Sequence, residues 1–194
     1  MSPRNERSRL TAEDWENGAL TMIAEEGVNA LAVEALARRL GVTKGSFYWH
    51  FPTREALLKA ALARWEARDE RELHERIAHI ADPRARLREL FHWVAHEVQP
   101  HRIYAALLQA LDQPAVARLM GRVSQRRMEF LNQAYREAGM NRGNALHRAR
   151  LAYAAYVGFL QLNVIPDLPR LSHEQFEAYV EHVIETLVER NPHA

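Results

Sequence analysis

Apolar residues recur along this chain at intervals of three and four, and no stretch alternates as a strand does, so the pattern predicts an all-α protein. Thr11 and Asp14 are spaced as a capping box, and Leu10 and Trp15 as a hydrophobic staple. They open a first helix in which Trp15, Ala19, Met22 and Ile23 share a face and which Gly27 ends. A short second helix is expected from about Val33 to Leu40, and a third from Thr43 to Pro52. Thr53 caps a long fourth helix, with Leu57, Leu58, Ala61, Leu62 and Trp65 as its apolar stripe, running to about Ile80. The pairs Arg68–Glu72, Arg71–Glu75 and Glu72–Arg76 lace its outer half. Further helices are expected near 84–98, 102–112, 115–138, 144–163 and 173–190, with Pro and Gly punctuating them, which makes about nine in all.

Composition adds exclusions. The 194 residues are 47% hydrophobic and 26% charged, as in ordinary folded domains. The absence of cysteine removes disulfides, thiol nucleophiles and thiolate metal sites. The most apolar run, Leu151 to Leu160, is far short of the roughly 20 residues of a membrane span, so no membrane association and a cytoplasmic location are expected. The net charge of +1 hides a local contrast. Residues 12–34 carry Glu13, Asp14, Glu16, Glu25, Glu26 and Glu34 without a Lys or Arg, whereas residues 35–54 carry Arg38, Arg39, Lys44 and Arg54 without an acid. Arg4, Arg7 and Arg9 add positive charge at the N-terminus. Such a basic island suits a compact phosphate-binding face.

The informative segment is Leu36-Ala-Arg-Arg-Leu-Gly-Val-Thr-Lys-Gly-Ser-Phe-Tyr-Trp-His-Phe51, which reads as two short helices joined by a turn at Gly41-Val42-Thr43. Leu36, Leu40, Val42 and Phe47 are placed to pack those helices together. The second then exposes Lys44, Ser46, Tyr48, Trp49 and His50, the kind of face that a helix-turn-helix inserts into a major groove. Gly45 lets backbone approach a phosphate.

From Gly41 to Leu57 the chain resembles the signature of the tetracycline-repressor (TetR) family, and Ala24 to Ala37 is similar to that family's first two helices. The resemblance covers roughly the first 60 residues and implies a DNA-binding domain at 1–52, with a helical ligand-binding and dimerisation domain at 53–194. It implies a homodimer on a near-palindromic DNA operator, released or recruited when a small-molecule effector binds. Tyr48 and His50 would contact phosphates, and Lys44 and Ser46 would lie at the groove. Trp49 would rest on sugar, thymine methyl or phosphate. Thr43 would cap the helix and reach phosphate, and Arg54 is a further phosphate candidate. Ala32 departs from the family, which usually has Thr or Ser there; the missing cap is worth about 1 kcal/mol.

Trp93, Tyr104, Gln109, Phe130, Tyr153 and Tyr156 are the candidates for an effector pocket, suited to a largely apolar molecule with a few polar groups. Ala152, Ala154, Ala155 and Gly158, next to large apolar residues in the last two helices, suit close packing within the chain or across a dimer, and the family resemblance implies a four-helix dimer interface. His92 and His96 are one turn apart, a metal-capable spacing, but no third ligand is visible nearby, so no metal and no cofactor are expected. Without a glycine-rich phosphate loop or a nucleophile elbow, no catalytic residue is assigned and an enzyme is not expected. The competing reading is a helical small-molecule-binding or interaction protein whose DNA-binding head is vestigial; Ala32 and the acidic 12–34 stretch favour it.

Overall fold

A computed structural model describes residues 10–188, and within them every regular element is helical. The helices are α1 (Ala12–Glu26), α2 (Val33–Arg39), α3 (Lys44–Phe47), α4 (Arg54–Ile77), α5 (Pro83–His96), α6 (Val98–Leu108), α7 (Pro114–Glu137), α8 (Arg142–Leu162) and α9 (His173–Leu187). A 3-10 turn, Val28–Ala30, joins α1 to α2. The N-terminal tail carrying Arg4, Arg7 and Arg9 lies outside the described residues.

Local chemistry sets most helix starts. Thr11 and Asp14 form the expected reciprocal box, the Thr11 amide donating to Asp14 at 2.7 Å. Thr53, Asp82 and Asn141 each accept an amide of the first turn, and Ser172 with Gln175 makes a second capping box. Pro83 and Pro114 sit in first turns, where a missing N–H costs nothing. Pro100 does not separate two helices as expected; α6 begins before it and holds it in its own first turn. α6 therefore starts earlier, and ends earlier, than the sequence pattern suggests.

Two apolar clusters hold the helices together. The first joins the buried faces of α1, α2 and α3 to Leu57, Leu58, Ala61, Leu62 and Trp65 of α4, to α6 and to the first half of α7. Gly18 permits the closest approach inside it: a Cβ there would stand 3.1 Å from Leu36 and Leu40. The core runs without a break from Phe51 to Leu57, past Pro52. Arg64 ties α4 to α1 through Glu13 at 3.0 Å and through Glu16. The second cluster gathers Leu87 and Leu90 of α5, Leu131 and Tyr135 of α7, the Ala145–Ala149–Ala152 face of α8, and Val180, Ile184 and Leu187 of α9. Among the described residues, no helix is long and apolar enough to cross a membrane.

Candidate nucleic-acid interface and effector cavity

The α2–α3 connection is built by its own backbone. Gly41 has φ +70°, open to glycine at no steric cost. Its amide donates to Arg38 O at 3.2 Å and that of Val42 to Ala37 O at 3.0 Å, the paired bonds of a Schellman stop. α3 is shorter than expected. After Phe47 the chain tightens into a turn, because the amides of His50 and Phe51 both bond back to the Phe47 carbonyl, at 2.9 and 3.0 Å. Phe47 is fully buried and meets the edge of Trp15 at 5.3 Å, so the helix is anchored by one ring.

That anchoring turns the rest of the segment outward. Tyr48 is 56% and Trp49 77% exposed, a large apolar area to present to solvent. Thr43 and Lys44 are exposed, and Ser46 and His50 half-exposed, on the same segment. Thr43 occupies the N-cap of α3, but its side chain makes no capping bond; Ser46 Oγ donates to its carbonyl at 2.7 Å. At Gly45 an added Cβ would meet only Thr43 Oγ1, at 3.8 Å, so internal packing does not demand glycine there. Lys44 Nζ reaches Glu34 of α2 at 2.6 Å. The hydrogen bond and charge of Lys44 hold the Glu34 carboxyl below its usual range.

Arg54 is placed differently from its neighbours. Its Nε donates to Leu31 O and its Nη2 to Val28 O at 3.0 Å, so the guanidinium clamps the 3-10 turn onto α4. Arg39 is likewise engaged, with Glu25 and Glu26 at the end of α1. Ala32, as the sequence indicates, is the N-cap of α2 and offers no side-chain bond.

A second site lies between α4, α5, α7 and α8. Trp93, Phe130, Tyr153 and Tyr156 line one cavity together with Phe91 and Val94. Tyr104 lies behind it, fully buried, its hydroxyl bonded to that of Tyr153, which in turn donates to Ser124 Oγ at 2.8 Å. Gln109 is exposed at the C-terminal end of α6 and lines neither that cavity nor the neighbouring one against α9, because α6 ends before it and turns it to solvent. The sequence reading missed the polar lining: Asp69, Glu72, Glu97, His101 and Arg127. One signal was there. Val116, Met120, Val123, Leu131 and Ala134 form the buried stripe of α7, and Arg127 falls in register on it, a charge in the middle of an apolar face. The guanidinium carbon of Arg127 stands 4.6 Å from the centre of the Tyr104 ring, a cation–π contact. Burial, aided by Arg127, pushes the His101 imidazole down to about 4.

A short reading helix fixed by a Schellman turn, its polar and aromatic side facing solvent, defines a helix-turn-helix head of the DNA-binding type. Residues 17–61 match the family described as "Bacterial regulatory proteins, tetR family", so the head is a domain of that type. It is 36% identical over 53 residues to the tetracycline repressor protein class D of Escherichia coli, covering 27% of this chain and 24% of that protein. It is 41% identical over 44 residues to the HTH-type transcriptional regulator YuxN of Bacillus subtilis (strain 168), covering 23% of this chain and 15% of that protein. The matched segments thus span less than a quarter of either relative. Over almost the whole length the fold resembles a transcriptional regulator from Rhodococcus sp. Rha1, with a TM-score of 0.73, 21% identity, and coverage of 93% of this chain and 97% of that one.

Proposed function

We propose that the chain is a ligand-responsive transcriptional repressor that binds a near-palindromic operator as a homodimer. The observation that carries this reading is the outward face of residues 43–50, with Tyr48 and Trp49 held in water by a head whose interior is otherwise closed. Tyr48 and His50 serve as phosphate contacts, Lys44 and Ser46 as groove contacts, with Thr43 and Trp49 at the backbone. Arg54 contributes by holding the head together, and its guanidinium reaches phosphate only by leaving the Leu31 and Val28 carbonyls.

Residues 1–52 act as the reading head and 53–194 as the sensing and dimerising part, a division of labour within one continuous core. The effector, a largely apolar small molecule with a few polar groups, occupies the cavity lined by Trp93, Phe130, Tyr153 and Tyr156. α4 supports coupling: it carries the Arg54 clamp at one end and the cavity residues Asp69, Glu72 and Leu73 towards the other. A ligand that moves α4 moves the head. The dimer face is the exposed side of α8, where Leu151 and Leu162 flank the small residues Ala154, Ala155 and Gly158. A cytoplasmic protein without enzymatic activity completes this reading.

The Lys44–Glu34 pair and the bare N-cap at Ala32 favour the second reading, a binding protein with a vestigial head. Selection of genomic fragments by the purified protein, beside a Tyr48→Phe, Lys44→Ala double variant, separates the two. Enrichment of a palindromic site by the native protein and not by the variant supports the repressor. No enrichment by either at low salt supports the vestigial head.

A further inference from the structure

α5 and α9 each carry ligand-type side chains one turn apart, and packing sets them against each other. His92 and His96 of α5 face Glu177 of α9, and one donor atom from each lies within 4.8 Å of the other two. The two imidazole rings stack at 4.5 Å. Nε2 of His96 is 3.0 Å from Oε1 of Glu177. Nδ1 of His173, one turn before Glu177, is 3.7 Å from the same oxygen.

The orientation of His96 is the telling detail. Its Nδ1 lies 2.7 Å from the carbonyl oxygen of His92, which can only accept, so that nitrogen carries the proton. Nε2 is thereby turned to the Glu177 carboxylate, where it donates when the ring is protonated and offers a lone pair to a metal ion when the ring is neutral. An N–H bonded to a backbone carbonyl is also the usual outer contact that orients a metal-binding histidine. In a tetrahedral shell with bonds of about 2.0 Å, neighbouring ligand atoms stand about 3.3 Å apart. The 3.0 Å found between Nε2 and the carboxylate is close to that spacing.

We propose that His92, His96 and Glu177 form a binding site for one divalent transition-metal ion of the zinc class, fastening α9 to α5. His173 is placed to supply a fourth ligand. Two imidazoles and a carboxylate suit Zn²⁺, Ni²⁺ or Cu²⁺ and discriminate against Mg²⁺ and Ca²⁺, which prefer all-oxygen shells. The position gives the ion a structural consequence. The His96 ring meets the edge of Phe176 at 5.8 Å, and Phe176, Tyr179 and Val180 form the α9 wall of an apolar cavity whose other side includes Phe91 and Tyr156. Phe91 and Tyr156 also line the effector cavity, so the ion would stiffen a wall behind that site.

Calorimetric titration of the tag-free, EDTA-stripped full chain with ZnCl₂ in excess MgCl₂ tests this. The expected result is one Zn²⁺ per chain with micromolar or tighter affinity, a raised melting temperature, and a tetrahedral visible spectrum with Co²⁺. His96→Ala and Glu177→Gln should each weaken binding by about tenfold or more. His147→Ala, an exposed histidine on α8, should leave it unchanged. Glu177→Gln keeps the shape of the side chain, so it decides the matter if His96→Ala fails to fold. Zinc binding in Glu177→Gln equal to that of the native protein would overturn the site, as would full competition by Mg²⁺ or the absence of zinc binding in the native chain.

Discussion

Asp69 on α4 accepts a 2.6 Å hydrogen bond from Nη2 of Arg127 on α7, and both side chains are mostly withdrawn from solvent. The pair stands at the cavity wall, with Arg127 also facing Tyr104 and Tyr156. Removing one member leaves the other charged in a poorly hydrated place. Asp69→Ala should cost about 3 kcal/mol in urea unfolding, while the paired change Asp69→Asn, Arg127→Met should cost clearly less. Equal losses would show that the pair matters only for its packing.

Lys44, the proposed groove contact, is paired with Glu34 of α2. Both side chains are exposed, so the pair itself adds little to stability, but it competes with DNA for the ammonium group. Glu34→Gln should therefore tighten operator binding a few-fold at low salt, read by fluorescence anisotropy, with the gain shrinking as salt rises. Unchanged affinity would remove Lys44 from the contact surface.

Ala32 already has the extended backbone of an N-cap, with φ −120° and ψ 136°. Ala32→Ser needs no backbone change to supply the missing acceptor. It should raise stability by about 1 kcal/mol, seen as a higher melting temperature. No rise would mean that the amides of the first turn of α2 are already satisfied by water.

Burial, with Arg127 second, holds the His101 ring neutral down to about 4, against 6.5 for a free histidine. The unfolded chain takes up a proton first as the pH falls. The contribution of this ring is thus complete above about pH 6.5 and is lost as the pH drops towards 4, up to a limit of about 3 kcal/mol. His101→Gln should flatten the stability profile across that window, measured by urea unfolding at successive pH values. A profile parallel to that of the native protein would show that His101 is hydrated in solution.

At Gly158 an added Cβ meets nothing within 4 Å, so a single chain has room there. Gly158→Leu should fold with native helicity, yet block close helix approach at the proposed dimer face. Sedimentation should find a monomer where the native protein is a dimer. A dimer of unchanged stability would move the interface away from α8.

The head was legible because its geometry is local. Gly41, Val42, Phe47 and the caps at Thr11 and Thr53 act within a few residues of themselves, so their spacing along the chain carries the shape. The length of α3 was overestimated because the return of two amides to the Phe47 carbonyl leaves no mark in composition. The aromatics Trp93, Phe130, Tyr153 and Tyr156 are candidates from helix order alone, and the fold brings all four to one cavity. Tyr104 could not be told apart from them, since its side chain differs only in facing inwards to Tyr153. Gln109 lies off this cavity because α6 ends at Leu108, one residue before it.

The sequence by itself determined the helical class, most helix starts and the reading segment, because capping, turn formation and 3.6-residue periodicity are short-range effects. Only the tertiary structure decided which charges meet. Arg127 finds Asp69 from 58 residues away, Arg54 finds the Val28 carbonyl from 26, and His96 finds Glu177 from 81. Such pairings depend on how whole helices cross, and helix crossing is set by the summed packing of two apolar clusters. No spacing along the chain records it.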